Sequence, residues 1–215
     1  MAAGPFGTPN RYATPSSVKP EGKKDMDWER AISMFRCSYS FIGQARGWMP
    51  SPVRSVLWFG EDAPHSTCYV PVYSGTKELP ESFTSGRRDK FDRSSAWWAF
   101  DFVSNWADLK YSYMIEDIKA MQEKYEGKFF EMQPAIDKAA VEIYNIHGEE
   151  TTEDFLTEYS YNNAKKVVDA WWEFADEMIY KYNDGYINHP DKIESVGYPT
   201  EWLEEVGFGE GTVAE

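Results

Sequence analysis

Two cysteines and three histidines are all that the 215 residues offer for thiol chemistry or soft-metal binding. The histidines, His65, His147 and His189, lie far apart, whereas a zinc site shows paired ligands at short intervals. Cys37 and Cys68 make no disulfide framework, so cysteine usage leaves the redox compartment undecided. No apolar run approaches the roughly 18–20 residues that span a bilayer. Residues 1–10 have neither the basic nor the apolar region of a signal peptide, which makes the cytoplasm the default compartment. Positive charge is also scarce: 22 Lys and Arg stand against 36 Asp and Glu, a formal net charge of −14. Such a surface repels phosphate backbones and anionic bilayers, so neither nucleic acid nor a membrane is an expected partner. A Gly-rich nucleotide loop and a Gly-x-Ser-x-Gly elbow are absent as well.

What the chain has in plenty is aromatic side chains. They form 17% of its residues, with nine Trp and fourteen Tyr, within a hydrophobic total of 42%. Large aromatics need a core or an interface to cover them, so this is a folding composition. Residues 1–25 read as an irregular opening segment, where Pro5, Pro9, Pro15 and Pro20 exclude a long helix. Residues 26–93 read as a strand region with its connector, and 94–215 as a helical region of the same domain.

In the strand region, Tyr39, Phe41, Gly43 and Ala45 alternate with Ser38, Ser40, Ile42 and Gln44, which predicts a strand with one face buried. The run 55–59 is almost continuously apolar and predicts a strand buried on both faces. A polar turn over 60–66 joins it to a third strand over 67–73, as an antiparallel hairpin. Pro71 cannot donate a ladder hydrogen bond, so that strand belongs at an edge or a bulge. From Ala96 to Tyr125 the apolar spacing becomes three-and-four, predicting a long helix with Asp92 or Ser94 as N-cap. A second helix is expected over 134–145, with Pro134 at its start, and a third from Thr151 or Thr152 to Asp184-Gly185. The fold class is α+β: antiparallel strands, then long helices.

Among candidate chemical groups, Cys37 stands beside Arg36, and a neighbouring cation favours a thiolate. The plainer reading of Cys37 is a small strand residue, and Cys68 reads as core. Trp97-Trp98 and Trp171-Trp172 invite a carbohydrate platform, but both pairs fall on amphipathic helices, where one member can enter the core. Glu149, Glu150, Glu153 and Asp154 fit a solvated helix start better than a calcium loop.

Three stretches carry more information together than apart. The first is Cys37-Ser38-Tyr39-Ser40-Phe41-Ile42-Gly43-Gln44-Ala45-Arg46 with Trp48-Met49-Pro50. The second is Val56-Leu57-Trp58-Phe59-Gly60 followed by Thr67-Cys68-Tyr69-Val70-Pro71-Val72-Tyr73. The third is Ser94-Ser95-Ala96-Trp97-Trp98-Ala99-Phe100, continuing to Tyr111-Ser112-Tyr113-Met114. In this order and spacing they resemble the later part of the bacterial cysteine dipeptidases, N-terminal-nucleophile hydrolases to which the secernins are related. The resemblance implies the C-terminal portion of an αββα sandwich, with dipeptides as substrates. It also implies an N-terminal cysteine nucleophile whose own α-amine is the base, a thioester intermediate, and no metal or organic cofactor. That nucleophile is expected outside this chain, so the chain alone is expected to be inactive. Its expected partner is the missing N-terminal half or a second copy of itself. Arg46, ending a strand, is the expected substrate-binding residue. Two other readings stay open: a non-enzymatic binding or interaction module, and cleavage after Arg36 that makes Cys37 a new N-terminal nucleophile.

Overall fold

The computed structural model of the protein describes residues 3–11 and 31–209. Of the opening segment, residues 3–11 form a turn and an extended stretch, while Pro15 and Pro20 lie outside the described residues.

Three strands, β1 (Tyr39–Ala45), β2 (Ser55–Glu61) and β3 (Val70–Tyr73), form one antiparallel sheet in that order. The register pairs Phe41 with Phe59, Ile42 with Trp58, and Trp58 in turn with Pro71. Pro71 therefore sits in an edge strand, as its missing N–H requires. β3 is shorter than the run 67–73 suggests. Residues 67–69 leave the ladder, and the Tyr69 amide donates instead to the Glu126 carboxylate at 2.8 Å.

Alternation places Ile42, Gln44, Val56, Trp58 and Tyr73 on one face of the sheet, and Tyr39, Phe41, Leu57, Phe59 and Glu61 on the other. Helices cover the first face. Val56, Trp58 and Tyr73 are buried there, Trp58 packs on Phe130 with ring centres 4.6 Å apart, and Gln133 donates to Gln44 at 2.7 Å. The second face is uncovered towards β1, where Tyr39, Phe41 and Leu57 are 56%, 58% and 38% exposed, whereas Val70, opposite Phe59, is fully buried. This corrects one expectation: the apolar β2, expected to be buried on both faces, is only partly covered on this one, while on β1 Ile42 is as exposed as Phe41. The reason is tertiary: on this side Phe83 stands near Phe59, 6.3 Å away, while Phe41 and Leu57 are left exposed.

The helices begin with α1 (Ala96–Ala107), which buries Ala96, Ala99, Phe100, Val103 and Ala107 at three-and-four spacing. Its N-cap is Ser95, one residue beyond the expected Ser94. Asp92 instead accepts from the Ser94 amide and hydroxyl, a local turn that directs the chain into the helix. The single long helix expected to run to Tyr125 is broken by a tight turn at Asp108–Lys110, where Lys110 leaves helical geometry and its ammonium bonds the Gly185 carbonyl. After α2 (Tyr111–Gln122), a wide π turn over Glu123–Gly127 leads into α3 (Lys128–His147). This turn presents Glu126 to the Tyr69 amide, while Gln122 donates to the carbonyls of His65 and Thr67 at 3.1 and 2.7 Å. Pro134 lies inside α3 rather than at its start, and the helix absorbs the one lost hydrogen bond.

Gly148, at φ 84°, separates α3 from α4 (Glu149–Lys181), whose 33 residues span about 50 Å. α4 packs on α1, α3 and β3, with Leu156, Ala164, Val167, Trp171, Phe174 and Met178 turned inward. Of the tryptophan pairs, only Trp171 is fully buried, against Phe100; Trp97, Trp98 and Trp172 are half-buried. A short pair of strands, β4 (Ile187–Asn188) and β5 (Ile193–Glu194), and α5 (Thr200–Glu205) complete the described fold. The protein is α+β, with antiparallel strands followed by long helices, and no helix among the described residues is long and apolar enough to cross a membrane.

Candidate functional site

A cavity of about 640 Å³ opens where the start of β1 meets the end of β2, beside the uncovered face of the sheet. Tyr39, Phe59 and Glu61 form its strand wall, the 83–88 connector its rim, and Ser95, Trp97, Asp101 and Asn105 its helical wall. Several local features shape it. Asp62, at φ 65°, adopts the left-handed conformation that asparagine and aspartate tolerate best, and its amide closes the sheet end by donating to the Ser38 carbonyl at 2.9 Å. Gly86 lies at φ 139°, and a β-carbon there would come within 2.4 Å of Ser95 Oγ, so only glycine lets the connector approach the helix start.

The electrostatics of this corner are unusual for so acidic a chain, because its carboxylates are desolvated. Burial pushes Glu61 up to about 7. Asp62, below it, is also pushed up to about 7, chiefly by burial, with Asp101 and Glu61 adding repulsion. The Ala63 amide and Ser104 pull the other way, yet neither carboxylate oxygen of Asp62 has a hydrogen bond of good geometry. Asp101 is raised by burial and partly relieved by Asn105 and by the Arg88 cation. Ser95 Oγ and Trp97 Nε1 are buried in the same wall without partners. Arg36, Arg87 and Arg88 line the opening, and Arg87 is already held by Asp89.

The residues singled out from the sequence fall elsewhere. Arg46 is buried in an internal network: its guanidinium pairs with Asp137, donates to the Val53 carbonyl at 2.7 Å, and stacks 5.6 Å from the centre of the Tyr73 ring. Tyr73 in turn donates to Asp137 at 2.8 Å, and burial, with that hydrogen bond, raises its hydroxyl far above the ordinary range. Arg46 also lines a second hollow with Gln44, Gln133 and Glu142, where it presents a cation already paired. Cys37 is half-buried, and its Sγ donates to the Tyr39 carbonyl at 3.8 Å. Cys68 is fully buried, and burial, reinforced by Glu126, raises its thiol well above the ordinary value.

His65 lies half-buried in the turn after β2. Burial lowers its pKa, its Nδ1 shares a 2.6 Å hydrogen bond with the Ser33 hydroxyl, and its amide donates to the same oxygen at 3.0 Å. This pair locks the 31–37 stretch onto the hairpin turn. His189 meets Glu194, and His147 is exposed. No hydrogen bond joins either sulfur to a histidine, and no group of three His, Cys, Asp or Glu among the described residues is placed to hold a metal ion.

The cavity residues were not found from the sequence, where Glu61 and Asp62 read as a polar turn. The available signal was an acidic pair directly after a buried strand, in register with Tyr39 and Ser38. Comparison with known proteins bears on this segment. No curated protein matches the chain. Residues 5–124 match the model of peptidase family C69, a span holding all three sheet strands, Arg46 and every residue of the cavity. That match covers more than half of the sequence, and the chain belongs to peptidase family C69, a family of peptide-bond hydrolases.

Proposed function

We propose that the chain supplies the sheet, the helices and the substrate cavity of a cysteine dipeptidase whose nucleophile is an N-terminal cysteine outside this chain. The observation that carries this reading is a cavity of mixed charge continuous with an uncovered apolar sheet face, on a chain of a peptidase family. Tyr39, Phe59 and Glu61 belong to both, so a second sheet laid on that face would also roof the cavity. A dipeptide is a zwitterion, and its two ends call for wall groups of both signs in a space of this size. Of the two thiols of the chain, Cys68 is sealed in the core and raised by burial, which leaves it poorly suited to attack.

In such an enzyme the cysteine thiol adds to the scissile carbonyl and passes its proton to its own α-amine. The C–N bond breaks, the leaving amine takes that proton, and water hydrolyses the thioester. The protein partner is then the half carrying that cysteine, or a second copy of this chain, seated on β1. The test is a panel of dipeptides incubated with the purified 215-residue chain, with and without a thiol alkylator. The expected result is no turnover in either sample. Turnover abolished by alkylation overturns the external nucleophile and points to Cys37 after cleavage behind Arg36. Dipeptides that do not perturb the cavity residues favour a non-enzymatic module instead.

A further inference from the structure

We infer that the cavity at the β1–β2 end is a binding site for a primary ammonium group, held between the carboxylates of Glu61 and Asp101. It thereby selects ligands with a free amine, which, on the reading above, is the free N-terminus of a short peptide.

The geometry argues for a cation of this kind. Glu61 and Asp101 both line a hollow of about 640 Å³, one from the sheet wall and one from the helical wall. Asp62 lies beneath them, fully buried, with both oxygens unpartnered. Burial draws all three carboxylates out of water and raises each of them, and at Asp62 the charges of Asp101 and Glu61 add to the effect. Of the three cations at the opening, Arg88 relieves Asp101 in part, Arg87 is spent on Asp89, and Arg36 forms no ion pair with Glu61 or Asp62. The floor is therefore left short of positive charge. A ligand ammonium supplies it, with three N–H donors for the carboxylates and for Ser95 Oγ, which is buried and has no partner. Trp97 Nε1, also without an acceptor, can then donate to the carbonyl oxygen that neighbours an α-amine. A divalent metal fits less well, because no three ligating side chains among the described residues are placed around one point.

The test uses the whole chain at pH 7, where an α-amine is largely cationic, and follows the Trp97 indole N–H by NMR. The probes are L-alaninamide and N-acetyl-L-alaninamide, which differ at the amine and share the carboxamide. L-alaninamide is expected to shift the Trp97 signal saturably, and the acetylated probe to bind about tenfold more weakly or less, the loss of one charge-assisted contact. Glu61→Gln is expected to weaken L-alaninamide by a similar factor, with Asp101→Asn as the second variant should the first fail to fold. Equal binding of the two probes, no binding of either, or displacement of L-alaninamide by micromolar calcium would each overturn the ammonium site. Neither probe is a dipeptide, so the result is independent of whether the assembled enzyme hydrolyses one.

Discussion

Asp137→Ala is expected to destabilise the protein by about 3–5 kcal/mol in urea unfolding, because it strands a buried cation. Arg46 and Asp137 have side chains only 5% and 13% exposed, and the guanidinium's remaining contacts are the Val53 carbonyl and the face of Tyr73. Removing the carboxylate leaves a charge in a medium that cannot solvate it and takes the acceptor from the Tyr73 hydroxyl. The same physics predicts partial recovery in the double variant Arg46→Met/Asp137→Leu, since replacing a buried pair with apolar groups of similar volume costs far less than halving it. A loss below about 1 kcal/mol for Asp137→Ala would mean that water reaches Arg46 and that the pair behaves as a surface ion pair.

Asp62→Asn is expected to do the opposite and stabilise the protein, in a pH-dependent way. The side chain is 1% exposed, its oxygens lack good partners, and the carboxylates of Asp101 and Glu61 face it. Its folded pKa stands at about 7 against an ordinary 3.8, so the folded state holds the proton that the unfolded chain releases. The stability associated with the protonated form is complete below about pH 4 and is lost as pH rises through about 7. Asparagine cannot ionise and tolerates the positive φ of this position. The variant should therefore match the parent near pH 4 and exceed it by about 2–4 kcal/mol at pH 8. A difference independent of pH would show that Asp62 is solvated or partnered.

These two residues also show where sequence reasoning reaches its limit. The alternation from Ser38 to Ala45 marked the existence of β1, and Pro71 marked an edge strand or a bulge, because both signals are local. Which face of β1 is covered is not local, and the periodicity alone did not choose a side. The break at Asp108–Lys110 was hidden because Leu109 and Lys110 suit a helix; the bond from Lys110 to Gly185, 75 residues away, decides it. Arg46 stood out as a polar residue ending a strand, but its partner lies 91 residues on and leaves no mark nearby. Glu61 and Asp62 were hidden by being polar in a place where polar residues ordinarily make turns. Only their burial against α1 distinguishes them.

The account rests on the uncovered face at β1, where Tyr39 and Phe41, with Leu57 of β2, stand exposed beside an open strand edge. Unpaired strand edges and contiguous apolar surface drive association. Phe59, half-buried near Phe83, and Trp58, buried under α3, are poorer probes of that face than Phe41. Light scattering during size-exclusion chromatography, over a range of concentrations and with a hydrophobic dye, tests it directly. The expected result is a dye-binding protein that self-associates as its concentration rises, and a Phe41→Lys variant shifted towards monomer. A monomer at every concentration that binds no dye would contradict the unfinished sheet, and with it the proposal that a second polypeptide completes the enzyme.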